Sequence, residues 1–180
     1  MIQTLRKEKI ANKYCPIYPD VEIYTDGSTF RKTGIGAYGF IVVANGELIH
    51  REVKAIELQT EAKGFKETQN IGYLEMMGLK SALSYCNSEI PCLKVAIFSD
   101  SSYIVNSYNK WSINWAKYNS WTKFQKDWKW INNNRSDNVY LSWVKSHSGN
   151  KWNDMIDELV RESFQNMYNE TIQEQEEIPA

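Results

Sequence analysis

From Val21 the chain alternates apolar and polar positions, Val21 and Ile23 against Glu22 and Tyr24, and this period of two predicts a strand that Asp26-Gly27 closes as a turn. A second turn is expected over 30–34, then a strand from Ala37 to Val43. Asn45-Gly46 is the strongest hairpin signal in the chain, because a type I′ turn needs positive φ at both positions. Leu48 to Ile56 reads as the returning strand, so the first third is an antiparallel meander. Beyond a polar, irregular stretch from Glu57 to Glu67, the spacing predicts a helix over 69–86. Its inward stripe is Ile71, Glu75, Gly78, Leu79, Ala82, Leu83 and Cys86, with Tyr73, Lys80, Ser84 and Asn87 on the other side. Leu93 to Phe98 is almost continuously apolar, the mark of a parallel strand covered on both faces.

Later segments follow the same logic. Ser102 to Val105 starts a helix, and Tyr108 to Ile131 keeps helical spacing before a loop at 132–136. Val139 to Val144 is the last strand, and Lys145 to Asn150 a flexible loop. A final helix is expected from about Asn153-Asp154, with the stripe Ile156, Leu159, Val160, Ser163, Phe164 and Met167. Residues 1–20 are polar, with Pro16 and Pro19, and are expected to pack loosely as a leader to a domain over 21–168. The acidic tail over 169–180 has no apolar period and is expected to be disordered.

Composition narrows the class without naming a function. At 180 residues, 42% hydrophobic and 24% charged, the chain suits one soluble domain rather than two. No apolar run reaches membrane-spanning length, and the opening residues have no apolar core of a secretory signal. Three cysteines, Cys15, Cys86 and Cys92, lack metal-ligand spacing, so reduced thiols in a cytoplasmic monomer are expected. A formal net charge of −1 gives no global attraction for polyanions, so any such binding needs a local patch. The window from Tyr108 to Ile131 supplies one. It holds five of the seven tryptophans and five lysines (110, 117, 123, 126, 129) against the single acid Asp127. Most of those aromatics are expected in the core, but lysine beside exposed aromatic surface is also how nucleic-acid grooves track a backbone.

Four acids and a histidine carry the candidate chemistry. Asp26 ends a strand, where it reads either as a turn residue or as a reactive acid. Glu75 falls inside an apolar stripe, which is costly unless it is paired, hydrogen-bonded or metal-bound. Asp100 follows a strand at the end where open α/β sheets place ligands, although Asp or Ser there is equally suited to cap a helix. Asp157 sits near the start of the last helix, where the dipole alone favours an acid. His147 lies on a polar loop, a better place for function than for packing, whereas His50 lies within a strand.

The element order β-β-β-α-β-α-(α)-β-α, with Y-T-D-G-S at Asp26, a helical Glu75, F-S-D-S at Asp100, and W-V-K-S-H-S-G-N followed by N-D-M-I-D-E-L at His147 and Asp157, resembles the type 1 ribonuclease H family over about 21–167. The resemblance implies an α/β ribonuclease H-like fold: a five-stranded mixed sheet, antiparallel through strands 1–3 and parallel through 1, 4 and 5, flanked by helices. It implies a metal-dependent endonuclease that cuts the RNA strand of RNA–DNA hybrids to 5′-phosphate and 3′-hydroxyl ends. Asp26, Glu75, Asp100 and Asp157 would hold two Mg2+ ions, or Mn2+, and His147 would assist proton movement or product release. Hard oxygen donors independently favour such cations. Gly27, Ser28, Asn70, Trp115, Lys117, Trp121 and Asn153 become candidates for contact with the hybrid, whose RNA strand is told from DNA by its 2′-hydroxyls. Asn70 stands farther ahead of Glu75 than the family pattern has it, so either the helix start carries an insertion or Asn70 is not the equivalent. A DNA nuclease or integrase-like module of the same fold, and a non-catalytic hybrid-binding module, are the competing readings. The histidine loop with Asp157 speaks against the first, and the complete set of acids against the second.

Overall fold

The computed structural model describes residues 10–58, 67–121 and 124–176, without the side chains of 67–70 and 174–176. Five strands, β1 (Val21–Phe30), β2 (Ile35–Ala44), β3 (Glu47–Glu57), β4 (Val95–Ser99) and β5 (Val139–Trp143), form one sheet in the order β3-β2-β1-β4-β5. β1 pairs antiparallel with β2 and β2 with β3, while β1–β4 and β4–β5 are parallel, the mixed sheet that the family resemblance implies. Asn45 and Gly46 both take positive φ, 52° and 76°, as the hairpin requires.

Helices cover both faces. On one side α1 (Glu67–Glu89), α2 (Ser102–Asn106), a π-helical turn (Ser107–Trp111), α3 (Ser112–Tyr118) and α4 (Gln125–Asn133) enclose Ile23, Phe40, Val42, Leu79, Leu83, Ile97, Trp128 and Leu141. On the other, α5 (Lys151–Glu176) lays Ile156, Val160 and Phe164 on Tyr24, Ala37, Ile41 and Val43. Being covered on both faces explains why Tyr24, on the polar side of the alternation of β1, is buried.

Four expectations change. β1 does not stop at Asp26-Gly27, because its ladder with β2 continues through Phe30 opposite Ile35. The stripe of α1 also includes Leu74 and Met76, both fully buried, and Tyr73 packs on Phe124 with ring centroids 5.2 Å apart, since α4 covers that flank. Segment 10–13 is tied to the sheet rather than loosely packed: Lys13 N–H donates to the Leu141 carbonyl. Finally, α5 runs to Glu176, and Thr171 Oγ1 donates to the Met167 carbonyl within it; Glu and Gln are good helix formers and extend the helix without an apolar face. Residues 1–9, 59–66, 122–123 and 177–180 lie outside the described residues.

Candidate active site

Thr25 opposite Ser99 is the last rung between β1 and β4. Beyond it β1 continues against β2 alone, with Asp26 opposite Gly39, while the chain of β4 leaves the sheet. Asp26 and Asp100 are therefore the first residues past the rung on adjacent parallel strands. That is where an α/β sheet opens a crevice at its carboxyl ends. Ser101, not Asp100, caps α2 by accepting from the Ile104 N–H, which leaves the Asp100 carboxylate outside the cap.

Helix α1 crosses unusually close to this point. A Cβ on Gly27 would stand 2.3 Å from the Leu74 carbonyl carbon and 2.4 Å from the Glu75 nitrogen, and one on Gly78 would stand 2.9 Å from the Asp26 carbonyl oxygen. The two absent side chains let the helix backbone rest on the strand and carry Glu75 to the edge of the crevice. From the other face, Asn150 caps α5 by accepting from the Trp152 and Asn153 N–H groups at 3.1 Å. The helix thus begins at Lys151, earlier than the sequence suggests, and the acid of its first turn is Asp154. Asp157 lies one turn farther in, so the dipole does not account for it.

The carboxylates feel one another. Burial pushes Asp26 up to about 7, with the charges of Asp100 and Asp157 adding to the rise, while the Gly27 backbone and Arg161 oppose it. Burial likewise raises Glu75 to about 8, against the Ser101 hydrogen bond and reinforced by Asp26 and Asp100. Three of the acids are held by protein groups. Ser101 Oγ donates to Glu75 Oε2 at 2.6 Å, Asn153 Nδ2 to Asp100 Oδ2 at 3.3 Å, and Arg161 pairs with Asp157 at 2.7 Å. Among the described residues, no three His, Cys, Asp or Glu side chains are drawn into a ready ligand cluster. The acids share one electrostatic neighbourhood, in which Asp26 feels Asp100 and Asp157, and Glu75 feels Asp26 and Asp100. The donor chemistry fits a hard divalent cation, being all oxygen. Asn153, only 3% exposed, adds a buried Oδ1 with no hydrogen-bond partner among the described residues.

The other candidates fall at varying places. His147 is exposed, with φ 48°, on the β5–α5 loop, and makes no hydrogen bond or ion pair with the four acids among the described contacts. Gly27 is occupied as a packing contact, and Ser28 pairs with Ala37 in the β1–β2 ladder. The side chain of Asn70 lies outside the described residues. Trp115 packs edge-on against the fully buried Trp128 at 5.9 Å, Lys129 sits over Trp121 at 5.3 Å, and Lys117 over Tyr118 at 5.1 Å. Of these aromatics Tyr118 is the exposed one, at 67%. The sequence reading missed Ser101 as the partner of Glu75, and Arg161 as the partner of Asp157. The latter was visible as an i, i+4 acid–base pair on a helix.

A pH dependence follows from the raised acids. Asp26 and Glu75 bind protons more tightly folded than unfolded, so folding takes up protons and their contribution to stability falls as pH rises. The loss begins in the ordinary carboxylate range near pH 4 and ends near pH 8. Asp26→Asn removes the Asp26 part and relieves Glu75. In EDTA the variant should therefore gain on the wild type as pH rises from 4 to 8, by on the order of a few kcal/mol. Thermal or urea unfolding of both proteins across that range checks it, and a difference that stays flat or shrinks contradicts it.

Among the described residues no helix is long and apolar enough to cross a membrane. Residues 18–165 match the RNase H family. The chain is 33% identical over 150 residues, 79% of its length and 88% of the relative's, to "Ribonuclease H" of Pseudoalteromonas translucida. With "Ribonuclease HI" of Haemophilus influenzae it shares 30% over 155 residues, 81% of this chain and 90% of that one. In structure it is similar to the PFV RNase H domain, with a TM-score of 0.66 at 16% identity over 82% of this chain and 95% of the other. The strand order, the crevice between β1 and β4 and the sequence relatives agree, and the chain belongs to the ribonuclease H family, whose members are endonucleases acting on RNA–DNA hybrids.

Proposed function

We propose that this chain hydrolyses the RNA strand of RNA–DNA hybrids to 5′-phosphate and 3′-hydroxyl ends, using Asp26, Glu75, Asp100 and Asp157 as the ligands of two divalent cations. The observation that carries the proposal is that Asp26 and Asp100 leave adjacent strands just past the Thr25–Ser99 rung while the close approach of α1 at Gly27 and Gly78 brings Glu75 beside them. There burial pushes Asp26 up to about 7 and Glu75 to about 8. Groups that ionise so reluctantly, gathered where a sheet opens, store a demand for positive charge. When bound, Mg2+ or Mn2+ supplies that charge and assists both the attacking and leaving oxygens of an in-line phosphodiester displacement.

The chain's own residues do the rest. Asp26, which feels the charges of both Asp100 and Asp157, would be the acid placed to hold either cation. Ser101 holds the Glu75 carboxylate in one orientation, and Asn153 steadies Asp100. Arg161 pairs with Asp157 along the helix and holds its carboxylate in place. His147, on an exposed loop, takes or returns a proton or eases product departure. Ser28 through its hydroxyl, Gly27 through its backbone, and Asn70 at the start of α1 read the 2′-hydroxyls of the RNA strand, and the lysine-bordered Trp115, Lys117 and Trp121 face the opposite strand's phosphates.

Matched end-labelled RNA–DNA, DNA–DNA and RNA–RNA duplexes incubated with Mg2+, Mn2+ or EDTA test the proposal. Cleavage is expected in the hybrid alone, in its RNA strand alone, with 3′-hydroxyl ends and none in EDTA. Cutting of the DNA duplex, or undiminished cutting in EDTA, overturns it.

A further inference from the structure

β5 is an outer strand of the sheet, and an outer strand presents unpaired backbone groups. Here segment 10–13 takes them. Lys13 N–H donates to the Leu141 carbonyl at 3.2 Å, the Trp143 N–H donates to Asn12 Oδ1 at 2.6 Å, and Ser142 Oγ donates to the Lys13 carbonyl at 2.9 Å. The Asn12 side-chain amide thus stands where the backbone of a sixth strand would. The same segment is held on its other side. Ala11 N–H donates to Oδ1 of Asn106, which is 6% exposed, at 2.8 Å. Asn109 Nδ2 donates both to the Ala11 carbonyl and to the Leu141 carbonyl, at 2.6 and 2.9 Å. Asn106 ends α2 and Asn109 lies in the π-helical turn, so the segment is laced to the helical layer and the sheet edge at once.

Asp100 lies between α2 and β4, the neighbour of β5 in the sheet. β4 ends at Ser99 and α2 is capped by Ser101, so the Asp100 backbone is the whole junction between them. Its carbonyl accepts the Trp143 indole N–H at 2.9 Å, and the Ser99 carbonyl accepts the Val144 N–H at 3.1 Å. One path therefore runs from Asn12 to the Trp143 backbone and from the Trp143 ring to the Asp100 backbone. We propose that Ile10–Lys13 is a strap that positions Asp100, with Asn12 as its positioning residue acting through Trp143. The inference rests on the role given to Asp100 under the proposed function, but its structural half stands apart from it.

The test uses the full chain with Asn12→Ala, Asn12→Asp, Trp143→Phe and the Asn12→Ala/Trp143→Phe double variant. Kinetics on the hybrid and amide hydrogen exchange without substrate are read in parallel. Because a small displacement of a reacting group is felt strongly in turnover, Asn12→Ala should lower kcat about tenfold while KM changes less than about twofold. Asn12→Asp keeps an acceptor for the Trp143 N–H and should restore kcat, which a merely lost leader would not allow. The double variant should be no slower than the slower single one, as expected for two residues on one path. Exchange at Trp143 and over 99–101 should quicken in Asn12→Ala. A KM increase with kcat intact, failure of Asp to restore, or losses that multiply would each refute the strap. Should the wild type not cut the hybrid, the function assigned above fails by itself. The exchange data still judge the strap, and unchanged exchange over 99–101 ends it.

Discussion

Asp26→Asn is expected to lower hybrid cleavage on the order of a thousandfold, roughly 4 kcal/mol of barrier, while hybrid binding in EDTA stays within about twofold. The substitution keeps the shape and removes only the ability to carry full negative charge. In the folded protein that charge is what burial and the charges of Asp100 and Asp157 oppose. A residue held at such cost against its own stability is expected where function requires it. The variant should consequently be inactive yet more stable than the wild type at pH 8, a combination that unfolding cannot produce. Asp100→Asn should behave alike in turnover, because the two residues leave adjacent strands just past the Thr25–Ser99 rung. Rates from single-turnover cleavage and affinities from fluorescence anisotropy check the pair. A wild-type rate in either variant removes that residue from the reactive set.

How far the sequence reveals this site depends on how local each signal is. Asp26, Asp100 and Glu75 were legible because each breaks a local pattern: an acid at a strand end, or a carboxylate in an apolar stripe. The continuation of β1 through Gly27 to Phe30 was not, since Asp-Gly has turn chemistry and only the ladder with β2 overrides it. Leu74 and Met76 escaped because a one-face stripe presumes one neighbour, whereas α1 rests on β1 and β2 and is flanked by α2 and α4. The strap was invisible for a different reason. Segment 10–13 has no periodicity, and its anchors are side-chain amides of Asn106 and Asn109, remote in sequence. Likewise, the competition at Ser99-Asp100-Ser101 between cap and reactive acid was undecided locally. In the structure Ser101 takes the cap by accepting the Ile104 N–H, which leaves the Asp100 carboxylate outside it.

Gly27→Ala should be strongly destabilising, although it adds a single methyl group. The added carbon would meet the Leu74 carbonyl carbon at 2.3 Å, the Glu75 nitrogen at 2.4 Å and the Leu74 oxygen at 2.6 Å. All three are backbone atoms, so no rotamer change relieves the clash, and the helix must retreat by about 1 Å to reach ordinary contact. Retreat opens the packing of Leu74 and Met76, both fully buried, and overpacking of this kind costs about 3 kcal/mol or more. Gly72→Ala is the internal control. It lies in the same helix, but its new carbon would meet Tyr103 at an ordinary 3.5 Å. Replacing a mid-helix glycine should there stabilise by roughly 0.5–1 kcal/mol. Urea unfolding of the two variants beside the wild type should move their midpoints in opposite directions. Because the helix that retreats carries Glu75, Gly27→Ala should also lose turnover under conditions where it remains folded. If Gly27→Ala unfolds with the wild-type midpoint, α1 does not rest on β1 as described, and the placement of Glu75 beside Asp26 falls with it.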